Sequence, residues 1–81
     1  MKGRVVVTWR DAKFTPGTHN KQEIMGFQMA TFESMGHLIS RDATTTIIAA
    51  EHNDSDDYRD ITLIPSGSIT SIRRLTLGSL V

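Results

Sequence analysis

The strongest constraint in this chain is a succession of β-forming runs joined by links too short to carry crossover helices. The clearest run is "TTTIIAAE", residues 44–51, in which three threonines precede two isoleucines. Branched side chains of this kind keep their preferred rotamers on a pleated surface and pack against their neighbours there. "RVVVTW", residues 4–9, has the same character. "TFESMGHLISRD", residues 31–42, predicts a further strand, with Gly36 where a strand bends or lets another backbone come close. "DITLIP" returns as a strand that stops at Pro65, because proline has no amide to offer the ladder. The short link from Ser40 to Thr44 makes its flanking strands an antiparallel hairpin, since a parallel connection needs roughly a dozen residues or more. No repeated strand-helix-strand pattern accompanies them. Four or five strands thus stand in a row, and the expected fold is mainly β, a small antiparallel barrel.

The fifth strand falls in "IPSGSITSIRRL", residues 64–75. Ile69, Ile72 and Leu75 recur every third position, which suits neither a flat strand nor a clear helix. Ser66, Gly67 and Ser68 make a sharp turn, so Ile69 enters at a corner and a bent, twisted strand brings Ile72 to the same interior. The competing helix from Ser68 is disfavoured, because Ile69, Thr70, Ser71 and Ile72 are mediocre helix formers without a strong cap.

Between the first two strands, Pro16, Gly17 and Asn20 mark a surface loop. Asn20 followed by Glu23 resembles a capping box, and Ile24 with Phe27 fits one helical face. Met25, Phe27 and Met29 instead alternate as in a strand, so a short helix near residues 20–30 and a strand stand as equal alternatives. Gly26 weighs against the helix by about 1 kcal/mol relative to alanine. The methionines read as core filler.

At 81 residues the chain makes a single domain, 1–81, with 11–30 as an insertion or loop and 76–81 as a tail. A domain this small buries only about 60–65% of its unfolded surface, which makes subunit contacts a plausible source of added stability. Nine Lys and Arg balance nine Asp and Glu, so there is no general attraction for nucleic acid and any such role needs a local patch. The absence of cysteine excludes disulfides and thiolate zinc sites and fits an intracellular setting. The longest apolar run is four residues, Ile47 to Ala50, far below the roughly 20 of a membrane span. Thr8 to Asp11 cut short the N-terminal apolar run before a signal-peptide core is complete. The expected location is cytoplasmic, with no membrane partner.

Chemistry-bearing residues are sparse. Glu51, Asp54, Asp56, Asp57 and Asp60 place five of the nine acids in one short segment, which reads as a solvated hairpin loop. With His52 it is the best candidate for a hard cation, yet it lacks the glycine and distal glutamate of a helix-loop-helix calcium site, so no metal is expected. His19, His37 and His52 are scattered without a zinc-binding pair, and no serine lies in a nucleophile-elbow context, so neither catalysis nor a cofactor is expected. Trp9 reads as a core or subunit-contact residue. Arg73 and Arg74 beside Arg41 form the one basic concentration, with Lys21 an optional contributor, and adjacent strand residues point to opposite faces.

In "GHLISRDATTTIIAA" a strand with Gly36 and, two places on, Leu38 runs into the turn residue Asp42; after the acidic loop, "DITLIPSGSITSIRRL" joins Ile64 to Ile69 and Ile72 through a short turn. With Val5 to Trp9 as first strand, this pattern resembles the Sm and Sm-like proteins over about 60 of the 81 residues. Small chains of this type also resemble phage-borne ones, which adds a phage-infected host cell to the expected settings. The resemblance implies a five-stranded, strongly bent SH3-like barrel that forms homo-oligomeric rings, each subunit adding its last strand to its neighbour's fourth. It also implies single-stranded RNA as a partner. At the family's uracil pocket, however, the stacking residue becomes Thr44, the asparagine becomes Thr46, and the Arg-Gly pair becomes Pro65-Ser66. Threonine has no face for a base, and stacking is worth about 1–3 kcal/mol per base, so the usual site is expected to be weak or absent. The RNA-binding residues this leaves are Arg41, Asp42, Thr44, Thr46, Ser66 and Gly67, with Arg73 and Arg74 as a nonstandard addition. The alternative is a structural or assembly protein of phage type with no nucleic-acid role.

Overall fold

The computed structural model describes residues 3–76, so all of the expected tail beyond Thr76 lies outside the described residues. Five strands form: β1 (Arg4–Asp11), β2 (Ala30–Arg41), β3 (Thr45–His52), β4 (Tyr58–Pro65) and β5 (Ile69–Arg74). All pair antiparallel in one sheet of order β4-β3-β2-β1-β5. The mainly β class expected from the β-branched runs is what the chain adopts. In this linear order β4 and β5 are the two edges, and no ladder joins them among the described residues.

β2 changes partners along its length. Its residues Ala30 to His37 pair with β1, whereas His37 to Arg41 pair with β3, with a register shift between Leu38 and Ser40. Gly36 stands at the changeover, where a Cβ would lie only 2.6 Å from the Ala49 carbonyl oxygen. Only glycine lets the two backbones approach this closely. A second shift, between Thr8 and Trp9, sets Val7 against Ile72 but Trp9 against Ile69. That irregularity explains the period of three: it places both isoleucines against the same core.

The core is small. Val5 and Val7 of β1 meet Ile48 of β3 and Ile64 of β4, with Trp9, Leu38, Ile69 and Ile72 packed around them. Each fully buried Val or Ile contributes about 1.5–3 kcal/mol. Val6 is buried on the opposite face of β1, at the register position between Met35 and Arg73.

Residues 12–29 leave the sheet where Asp11 pairs with Ala30. They contain one helical turn, α1 (Lys21–Ile24), which settles the helix-or-strand alternative at those four residues. Asn20 caps it as its spacing to Glu23 predicts: the Asn20 carboxamide accepts the Glu23 amide at 2.8 Å, and its NH2 donates to the Glu23 carboxylate at 3.0 Å. The methionines are not core filler. Met25, Phe27 and Met29 are 77, 45 and 55% exposed, because the ladder carries this segment away from the core before they occur. The described chain is correspondingly extended, with a radius of gyration of 16.3 Å against about 12 Å for a compact domain of its length.

Candidate functional site

The turns at one end of the sheet bring together most of the residues that the Sm-like resemblance singled out. The Asp42 carboxylate accepts the amides of Thr44 and Thr45, both at 2.8 Å, and so closes the β2–β3 turn. These two amides, Thr45 first, hold the Asp42 carboxyl below the ordinary aspartate range. The Ser66 hydroxyl donates to the Asp42 carbonyl at 2.7 Å and lies 2.9 Å from the Thr46 hydroxyl. A serine has one hydroxyl proton, so Thr46 is the donor to Ser66. This network ties the β2–β3 turn to the turn before β5.

It also uses up the groups a ligand would need. Thr46 is completely buried and its hydroxyl is committed to Ser66, so it offers no surface to a base. Thr44 and Gly67 are exposed but supply neither ring nor charge. Arg41 is exposed and pairs with Thr46 in the β2–β3 ladder. Arg73 and Arg74 lie apart, at the far end of β5 opposite Val6 and Val5. Arg73 reaches the Glu33 carboxylate at 3.2 Å, and the two arginines occupy alternate faces, as the strand period requires.

A second constellation forms from histidines that are far apart in the sequence. His52 and Tyr58 face each other across the β3–β4 ladder and their rings stack, with centroids 4.4 Å apart and planes 7° from parallel. His37 meets the edge of this stack, 5.6 Å from the His52 ring, because His37 pairs with Ala49 on the same β3 strand. The acidic loop folds beneath: Asp56 reaches His52 Nε2 at 2.8 Å, and Arg59 makes a two-pronged pair with Glu51 at 2.7 and 2.9 Å. The hydrogen bond from Arg59 is the main reason the Glu51 carboxyl titrates below its usual range. Among the described residues no three imidazole or carboxylate groups converge on a cation position.

The stack separates two depressions. One, about 710 Å³, is bordered by Gly3, the β2 segment from His37 to Arg41, His52 and Tyr58. The other, about 380 Å³, lies on the acidic side with Glu51, Asn53, Asp57 and Arg59. Spacing alone did not reveal this cluster. The signal for half of it is the symmetric placing of His52 and Tyr58 about the polar loop 53–57, which predicts a cross-strand pair once that loop is read as a hairpin.

No family model, curated protein or solved structure matches this chain. No helix among the described residues is long and apolar enough to cross a membrane.

Proposed function

We propose that this chain is an Sm-like binding module, not an enzyme, that assembles into a homo-oligomeric ring through its edge strands and carries single-stranded RNA on a surface other than the family's usual pocket. The observation that carries the reading is the linear strand order, which leaves β4 and β5 as the two edges of the sheet. Bare edge amides favour pairing with a further strand, and pairing between unlike edges of identical copies closes into a ring when the rotation allows. Surface chemistry adds support. Among the described residues six apolar side chains are buried, while eleven large ones are exposed, including Ile61 and Leu63 on one face of edge strand β4. The measurement is native mass at micromolar concentration: a single closed multiple of the subunit mass is expected, and a strict monomer overturns the reading. The RNA component predicts binding of short U-rich or A-rich RNA whose affinity falls with salt, as phosphate contacts require.

A second reading, a structural or assembly component without nucleic acid, draws on the acidic β3–β4 hairpin and on the commitment of Thr46 and Ser66 to each other. Ring formation without RNA binding at low salt selects it.

A further inference from the structure

Residues 12–29 and the outer ends of β1 and β2 form an arm that the core does not cover. The described residues span 54 × 26 × 22 Å, and the ladder that runs out to the Asp11–Ala30 pair carries this arm away from the core. Its own contacts order it. At its root Trp9 and Phe32 stack with centroids 5.4 Å apart, and Trp9 Nε1 donates to the Ser34 hydroxyl at 3.0 Å. Further out, His19 lies 3.0 Å from the Pro16 carbonyl oxygen and meets the Phe27 ring edge-on at 5.2 Å, beside the turn that Asn20 caps. These contacts leave the apolar side chains outside. Phe14 and Met25 are 88 and 77% exposed. Together with Ile24, Phe27, Met29 and Phe32 they expose the equivalent of about three and a half whole side chains, roughly 700 Å² at about 200 Å² each. One side of a standard protein interface covers about 800 Å². The arm therefore presents close to that area on a support ordered before contact, which lowers the entropic cost of binding.

Charge selects the occupant. Arg10, Lys13 and Lys21 of the arm have no ionic partner among the described residues, whereas its acids are engaged, Asp11 with the Ala12 amide and Glu23 with Asn20 and His19. The β3–β4 hairpin is the reverse: Glu51 takes Arg59, Asp56 meets His52, and Asp54 and Asp57 have no ionic partner among the described residues. Nor does any ion pair, side-chain hydrogen bond or ring contact join arm to hairpin within the described chain. A neutral chain thus holds unpaired cations in one place and unpaired anions in another, and two copies can bring them together. Beside that hairpin, Ile61 and Leu63 are 48 and 63% exposed on the face of β4 opposite the buried Ile64.

We infer that the arm of one copy lies on β4 of the next, its apolar side chains over Ile61 and Leu63 and its Lys13 and Lys21 against Asp54 and Asp57. The inference rests on the homo-oligomeric part of the reading above and adds a second contact to it. When β5 of a neighbour pairs with β4, that neighbour's β1 follows one strand further on, about 5 Å away. The arm rooted at Asp11 then starts within two strand spacings of the edge it covers. Arm to hairpin is a heterologous contact, so it can repeat around a ring.

The experiment follows assembly of the full chain by sedimentation over a dilution series, with far-ultraviolet circular dichroism at matched concentration as the check on folding. Phe14→Ser with Met25→Ser changes two positions outside the core and should raise the dissociation constant by about tenfold or more, as loss of apolar anchors does. Lys13→Glu with Lys21→Glu should also weaken assembly. Adding Asp54→Lys and Asp57→Lys to that chain should restore it, since the exchanged charges meet only between copies. Wild-type assembly should weaken as salt rises. Wild-type affinity in the folded double-serine variant overturns the inference while leaving the ring in place, and so does failure of the fourfold charge exchange to restore assembly. If the double-serine variant does not fold, the charge exchange decides. A wild-type chain that stays monomeric overturns both this inference and the homo-oligomeric reading.

Discussion

Replacing Gly36 with alanine tests the account of how closely β2 and β3 approach each other. The added Cβ would stand 2.6 Å from the Ala49 carbonyl oxygen, 3.2 Å from its carbon and 3.3 Å from the Ile48 Cβ. Ordinary carbon-oxygen contact is about 3.3 Å or more, so β2 and β3 must separate by several tenths of an ångström at their point of closest approach. The obstruction is backbone, and the pairs His37 to Ala49 and Leu38 to Ile48 follow immediately, so no side-chain rotation relieves it. Overpacking of this kind costs about 1–3 kcal/mol. A domain of this size holds only about 4–12 kcal/mol of stability, and each kcal/mol shifts its melting temperature by about 4–8 °C. Gly36→Ala should therefore melt about 8–16 °C below wild type for a loss near 2 kcal/mol, read by far-ultraviolet circular dichroism at matched protein concentration. Gly67→Ala is the control, since a Cβ there meets nothing within 4 Å. Equal melting temperatures for the two variants would refute the close-approach account.

Three further perturbations follow from the turn network and the edges. Thr46→Val removes one hydrogen bond but leaves Ser66 donating to Asp42, and should cost about 0.5–1.5 kcal/mol, whereas Ser66→Ala strands the buried Thr46 hydroxyl and should cost more, about 1–3 kcal/mol; denaturant titration that ranks them in reverse contradicts the network. Because backbone amides lower the Asp42 pKa in the folded state, its contribution is present above the unfolded value near pH 4 and is lost as pH falls through the folded value. Asp42→Asn should flatten the acid limb of a melting-temperature profile, and parallel profiles would remove Asp42 from that role. The double change Ile61→Lys and Leu63→Lys, on exposed positions of edge strand β4, should yield folded monomers in native mass measurements, and an unchanged assembly would exclude β4 as the joining edge.

Local chemistry made much of the fold legible. Asp42 and Pro65 mark strand ends, Asn20 with Glu23 sets a helical turn, and β-branched residues populate β1, β3 and β4. Gly36 was readable as a bend or close approach, and the close approach to Ala49 is what it makes. What stayed hidden depends on register. Whether Met25 and Met29 are covered depends on how far the Asp11 to Ala30 ladder projects from the core, which their own alternation cannot express. His37, His52 and Tyr58 meet only because two separate pairings, to Ala49 and across the β3–β4 turn, fix three strands at once. Thr46 looked like a pocket residue by its offset from Asp42, but its inward orientation follows from its pairing with the buried Ile64.

Because β2 gives its first part to β1 and its last to β3, one piece of backbone belongs to both hairpins. Neither can open without disturbing the His37 junction they share. Amide exchange from β1 and from β3 should therefore slow and quicken together when the chain is stabilised or weakened, as a single cooperative unit rather than two independent ones.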